Sequence, residues 1–310
     1  VALNVDQTWV PRFHDQLLLT YQQQGSEIEK YLEPFMVHRD VKGAIDHFER
    51  LGNVIANDVI IPFGQTNILN PGHSRRAVTL QSSDAAVLIS DENTLRAMVN
   101  PQDGYTRTIA YALGRRADKH IIDALLGNAQ VATTTNGVLT YANQALPSAR
   151  KLGTGIAITL TNIIAANESL SKAGAPSGAG QRVMLYSPGQ LRDILAITQA
   201  ASSDFTKNQI HDKGTIDELN WEGFTWEEIA DVIKEDATTV LQRMLPLTGT
   251  SRACIAFHRG AVGLAVGREI STKIRERPDL NDSIQVRSVM MQEAVRVWEG
   301  GVVEIDVLEN

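Results

Sequence analysis

One stretch limits the fold more than any other: an unbroken helical pattern between Asn100 and Gly127. Asn100 is a good N-cap, Pro101 suits the first helical position, Asp103 falls in the first turn and Gly127 is a candidate C′ residue. Between them Tyr105, Ile109, Leu113, Ala117, Ile121 and Leu125 recur every four residues, with Ala112 and Leu126 widening the stripe. About 26 residues at the α-helical rise make a rod about 39 Å long, more than twice the usual helix. A helix this long is a beam.

The segments around it read differently. Residues 1–35 are mixed and polar, with Gln22-Gln23-Gln24-Gly25-Ser26 and no sustained apolar period, so they predict an extended arm or a loose helix outside the core. In 50–90, the β-prone runs Asn57–Ile61, Ala77–Leu80 and Ala86–Ile89 surround the breakers Pro62, Gly64, Asn67, Asn70, Pro71 and Gly72, which predicts a long two-stranded excursion. After the polar Ala132–Gly137, a second helix is expected from about Thr159 to Ala173, ended by Gly174. Gly174–Gly180 reads as a linker and Arg182–Tyr186 as a buried strand. Ser187-Pro188-Gly189-Gln190 is a capping box that opens a helix to about Thr198, and the polar 200–215 reads as a mobile loop. From Phe224 onward short strands are expected, among them Arg252–Phe257, Ser283–Met290 and Gly301–Leu308. Strands and helices mix without a βαβ rhythm, so the fold class is α+β.

Composition mainly excludes. The 310 residues carry 29 Lys+Arg against 36 Asp+Glu, a net charge of −7, which argues against a dedicated groove-reading nucleic-acid binder. Aromatics at 5% disfavour a base-stacking platform. The single Cys254 cannot form an intrachain disulfide. No apolar run approaches the ~18–20 residues that span a bilayer, and the start lacks the pattern of a signal peptide.

Catalytic motifs are equally sparse. Gly72-His73-Ser74-Arg75-Arg76 lacks the second glycine of a nucleophile elbow, and Gly153-Thr154-Gly155 and Gly178-Ala179-Gly180 lack the third glycine and lysine of nucleotide loops. Cys254 and His258 stand four apart but alone, short of the four ligands a zinc site needs, so Cys254 reads as a buried small hydrophobe. Glu227-Glu228 reads as a solvated face. No catalytic, cofactor-binding or metal residue is assigned, and no cofactor is implied.

An arm and a long hairpin before a long helix, in a chain without catalytic apparatus, invite comparison with a known family. Ala112-Leu113-Gly114-Arg115, then Asp118, Ile121-Ile122 and Ala124-Leu125 before Gly127 resemble the spine-helix region of tailed-bacteriophage major capsid proteins with the Hong-Kong-97-type fold. Thr66 with His73–Arg76 resembles that family's extended loop, and Ser90-Asp91-Glu92 with Leu95-Arg96 its link into the spine. Glu222-Gly223-Phe224 after Gly214 and Leu219, Phe257–Leu264 and Val297–Val307 resemble strands of its axial and peripheral domains. The likeness runs from about residue 20 to 308.

The resemblance implies an N-terminal arm (1–49), an extended loop (50–90), a peripheral domain (91–182, spine helix about 101–126) closed by strands in 281–310, and an axial domain (183–280). It implies a non-enzymatic subunit that assembles with itself into hexamers and pentamers of an icosahedral shell. Portal, scaffolding and decoration proteins and packaged double-stranded DNA are the implied partners, with no membrane. The implied location is the virion, assembled in host cytoplasm. With no hundred-residue segment ahead of the arm, scaffolding is expected from a separate protein, by removal, or not at all.

His73, Arg75 and Arg76 are the inter-subunit candidates, the arginines through bidentate pairs with a neighbour's acids. Arg115, Arg116 and Lys119, off the apolar stripe, are candidates for facing the lumen or a neighbour. Two readings stand beside this one: an encapsulin-type nanocompartment shell, and a cytosolic α+β enzyme with an unrecognised site. Some members of the family cross-link their shells through a loop lysine, but residues 43–118 contain none, the nearest being Lys42 and Lys119. Intact particles in a denaturing gel are therefore expected to run as one band near 33.9 kDa; a ladder of covalent multimers contradicts this.

Overall fold

The apolar stripe of the long helix closes on a sheet whose strands come from far apart in the chain. The computed structural model describes residues 23–58, 66, 68–90, 102–135, 138–153, 155, 157–197, 216, 220–234 and 239–309. Several expectations fall outside these: the arm before Gln23, Val59–Ile61 with Pro62 and Gly64, Asn67, the link at Asp91–Arg96 and the Asn100-Pro101 cap. So do Asn136-Gly137, Thr198, the polar 200–215 and Leu219.

Three helices are described: α1 (Gln102–Leu126), α2 (Leu160–Lys172) and α3 (Pro188–Leu195). The strands begin with β1 (Val37–Arg39), β2 (Ile45–Leu51), β3 (His73–Thr79), β4 (Gln81–Ile89), β5 (Ala129–Thr135) and β6 (Val138–Gln144). They continue with β7 (Lys151–Gly153), β8 (Arg182–Tyr186), β9 (Asn220–Trp221), β10 (Phe224–Glu228), β11 (Val232–Ile233) and β12 (Val240–Gln242). Last come β13 (Leu247–Thr248), β14 (Ser251–His258), β15 (Val262–Arg277), β16 (Ser283–Arg296) and β17 (Val302–Leu308).

Helix α1 lies on the sheet β1-β15-β16-β4. Alternate residues of β16, Val286, Ser288 and Met290, point to the helix and are buried, as the two-residue period of a strand requires. Ile109 packs with Ile89 and Val286, and Leu113 and Ala117 with Met290. Further along, Ile121, Ile122 and Leu125 enter the main core with Leu185, Phe257, Leu264 and Val302.

A second sheet, β7-β17-β14-β8-β10-β9 with β13 beside β14, is covered on both faces near its centre. One face joins the main core; the other meets α2 through Ile163, Ala166 and Leu170. Every residue of β8 is buried, which explains why it reads as a continuous apolar run rather than an alternation. The capping box opens α3, with Ser187 and Gln190 bonding reciprocally, and Thr159 caps α2. The remaining sheets are β2-β3-β5-β6 and the pair β11-β12.

Four sequence expectations change. Ile28, Tyr31 and Leu32 of the supposed arm are buried in the main core. The hairpin of the excursion is β2–β3, starting at Ile45, while β4 leaves it to pair with β16. The polar Ala132–Thr135 lies in a hairpin, β5–β6, whose Thr-rich strands suit β structure because β-branched side chains do. Finally, β15 and β16 are not short: they run 16 and 14 residues as one long ribbon.

Cys254 is fully buried as expected, its Sγ 3.1 Å from the Leu185 carbonyl oxygen. Burial pushes its thiol up to about 12, so folding favours the neutral form and that preference fades as pH rises from about 9 through 12. At pH 8 the native protein is expected to leave a thiol reagent such as DTNB unreacted, and unfolding in guanidinium to release the one thiol; rapid reaction of native protein contradicts this.

Candidate functional site

The residues that matter for a subunit of an assembly are those that fix its extensions and those left facing outward. The first group centres on Asp118 of α1, fully buried. Its carboxylate accepts from Gln23 Nε2 at 2.5 Å, Ser26 Oγ at 2.5 Å, Glu27 N at 3.0 Å and Ile28 N at 3.1 Å. Burial pushes the Asp118 carboxyl up, against the pull of these four donors. One turn earlier stands Gly114, where an added Cβ would lie 2.5 Å from Gly25 Cα. Glycine costs a helix interior about 1 kcal/mol relative to alanine, and here it lets the incoming backbone lie directly on the helix.

The same segment is tied to the second sheet. Tyr31 Oη donates to Glu227 at 2.5 Å, Lys30 Nζ sits 2.9 Å from the same carboxylate, and Arg259 donates to the Tyr31 and Lys30 carbonyls. Glu227 is therefore a buried anchor and not part of a solvated face. The sequence offered no sign of this, because the partner lies 196 positions away.

Two of the three cations singled out on α1, Arg115 and Lys119, are engaged within the chain. Arg115 is buried and donates to the Gln23 carbonyl at 3.4 Å, its own charge disfavoured by burial. Lys119 donates to the Met244 carbonyl at 3.0 Å and pairs with Asp123 at 2.9 Å. Arg116, half-buried, borders a polar cleft of about 350 Å³ together with His120 and Glu293, whose side chains approach to 2.9 Å.

Arg75 and Arg76 stand on strand β3 and not at a loop tip, and their alternation sends them to opposite faces. Arg75 is half-buried and pairs with Glu49 across the hairpin. Arg76 is 2% exposed and pairs with Glu299 of the turn before β17. Arg50 reaches the other Glu299 oxygen at 2.7 Å and lies 4.6 Å above the Trp298 ring. Burial alone would raise the Glu299 carboxyl, but its hydrogen bonds and the two arginines hold it below the ordinary range. His73 is exposed, opposite Leu51.

Beyond this clamp the chain presents apolar side chains to solvent: Leu51, Val54, Ile55, Ile68 and Leu69, with Ile68 93% exposed. Strand β6 is exposed at every position. Among the described residues no cluster of His, Cys, Asp or Glu could hold a metal ion, and no helix is long and apolar enough to cross a membrane.

Solved structures that match this arrangement include phage capsids. The capsid structure of cyanophage P-SCSP1u matches with a TM-score of 0.70 at 14% identity, over 100% of this chain and 96% of that one. The capsid of Ralstonia phage GP4 matches at 0.68 and 13% identity, over 100% and 98%. A chain of Mycobacterium phage Che8 matches at 0.65 and 19% identity, over 98% of each. No curated protein sequence matches the chain. At these identities the likeness is one of fold, and the fold is the α+β, Hong-Kong-97-type fold of phage capsid subunits. A family model described as phage capsid protein matches residues 5–309, and the chain belongs to that family. It is a structural protein of the virion that assembles with its own copies into a shell.

Two outcomes follow for the clamps. Asp118→Ala leaves the Glu27 and Ile28 amides without a partner and is expected to cost about 3 kcal/mol. It should also speed hydrogen exchange at residues 26–32; unchanged exchange there contradicts the clasp. Because the Glu299 carboxyl titrates below its unfolded value, its contribution is present above about pH 4 and lost as pH falls through the lowered value. An acid titration should loosen β2–β3 with a midpoint that vanishes in Glu299→Gln; an identical titration in that variant contradicts the assignment.

Proposed function

We propose that the protein is the major capsid protein of a tailed double-stranded DNA phage, building hexamers and pentamers of an icosahedral head without catalysing any reaction. What carries this reading is the contrast between a well-closed body and an excursion whose apolar residues Ile55, Ile68 and Leu69 stand exposed among the described residues. Apolar surface of this kind is stable in water only when a second surface removes it, and family membership makes other copies of the chain the natural cover.

Exposed His73 and half-buried Arg75, beside that excursion, are the inter-subunit residues this reading retains. Arg76, with its charge met by Glu299 inside the chain, acts by holding the hairpin at its angle. Portal, scaffolding and decoration proteins complete the head, assembly takes place in the host cytoplasm, and DNA enters without sequence-specific contact. In domain terms this reading ends the arm where the β2–β3 hairpin begins at Ile45, takes that hairpin as the extended loop, and divides a peripheral from an axial domain along the sheets. The β15–β16 ribbon then goes with the spine helix, and β17 with β14 and β8.

Cryo-electron microscopy of the purified chain is the test. Closed shells with five- and sixfold clusters, large enough for a genome, are expected. Small shells loaded with protein point to a nanocompartment, and a small soluble oligomer overturns the reading. Introducing charge there by Ile68→Glu with Leu69→Glu should abolish shells while leaving the monomer's melting temperature within about 2 °C; normal shells from that variant would remove the excursion from the assembly.

A further inference from the structure

We propose that the outer face of the β15–β16 ribbon is a phosphate-backbone contact surface for double-stranded DNA. The proposal rests on the capsid reading for its biological setting and on the geometry of one sheet face for its chemistry. The sheet β1-β15-β16-β4 has two unlike sides. Val286, Ser288 and Met290 of β16 face α1 and are buried; Gln285, Arg287 and Val289, alternating with them, face away. In register on that outward side stand Lys273 opposite Arg287 and Arg275 opposite Gln285, with Arg277 at the ribbon's end. Arg268 joins them around an open cavity of about 420 Å³.

Five cations thus share one face. Arg277 is held by Asp279 and Gln285, and Arg287 by Asp84. Arg268, Lys273 and Arg275 make no ion pair with any described residue, in a chain that is otherwise acidic at −7. Protection of an edge strand against aggregation would explain charge on the distal half of β15, which has β16 on one side only. It does not explain the sorting. On the other side of the same strand stand Ile270, Thr272, Ile274 and Glu276, with Ile270 and Ile274 exposed, whereas Lys273, Arg275 and Arg277 all fall on one side.

The row suits a duplex. Alternate strand residues lie about 6.7 Å apart, so the row sets its cations out as a line of positive charge facing the densely charged duplex backbone. The face carries no aromatic side chain that could stack on a base, so the contact is blind to sequence. The spine cations are less suited to this role: Arg115 is buried and Lys119 is turned onto the Met244 carbonyl.

The test uses the full chain and a fluorescent 30-base-pair duplex, read by anisotropy against salt. Three counterions released give a log–log slope near −3, so affinity should fall roughly 40-fold from 50 to 200 mM salt. Combining Arg268→Gln, Lys273→Gln and Arg275→Gln should weaken binding at least tenfold at 50 mM and flatten the slope towards zero. Because that variant could misfold, the unmodified chain is also footprinted with an amine-acetylating reagent. The duplex should protect Lys273 and leave the exposed Lys151 and Lys172 reactive. Unprotected Lys273, or a folded variant with parental affinity and slope, overturns the proposal. A variant that binds DNA normally but no longer forms shells also overturns it, and makes the face a contact between copies. Failure of the unmodified chain to form shells, with Lys273 still protected, counts against the capsid reading and leaves the DNA contact standing.

Discussion

The structure depends on one constraint: a 25-residue helix has an apolar stripe that nothing nearby in sequence can cover. Burying it draws together β4, β15 and β16, from residues 81 to 296, and the segment around Ile28 from the other side. The helix therefore organises the chain as an axle does, with each lobe defined by the part of the stripe it touches. The middle of α1 packs on Met290, and its C-terminal end enters the core shared with the second sheet. That end is itself closed by Arg296, fully buried, which donates to the Leu125, Gly127 and Gln144 carbonyls. A cation on free carbonyls at a helix C-terminus meets both their hydrogen-bonding need and the sign of the helix dipole.

Buried charge serves elsewhere as the joint between elements. Arg76 and Arg50 share Glu299, Arg252 bridges Asp231 and Glu309, and Arg182 gathers the carbonyls of Ala175 and Pro176 with Asn167 and Ser171. The last of these turns Gly174–Gly180, which reads as a linker in sequence, into a seated connection. Such pairs add little net stability over an apolar core, because desolvation offsets much of the attraction. What they supply is direction: a guanidinium paired with one carboxylate at one angle admits few alternative dockings. For a subunit of a self-assembling shell, a fixed launch angle for its extensions matters more than a deeper energy well.

Much of this was legible in the residues where local physics decides. The apolar period from Ile109 to Leu125, the Ser187–Gln190 capping box, Thr159 as a cap and Arg182–Tyr186 as a doubly covered strand all rest on side chains acting within a turn or two. The order of motifs around Gly114 and Asp118 was likewise enough to point to the capsid family. Residues 26–32 were misjudged because three apolar side chains in a polar stretch give no period, and what buries them is a carboxylate about 90 positions away. Glu227, Glu299 and Arg76 escaped for the same reason. Any charged residue reads as solvated until the fold shows what it faces.

By itself the sequence determined the α+β class, the axle helix, the caps, the absence of recognisable catalytic motifs and the family, since these depend on neighbours along the chain or on motif order. Only the tertiary structure decided which charges are joints and which are surface. It placed Arg76 inside and Arg75 outside although they are adjacent, and it gathered Lys273, Arg275 and Arg287 on one side of a ribbon. The reason is that burial and pairing of a charge are set by which distant strand lies opposite, and register across a sheet is settled by the whole core rather than by any local run of residues.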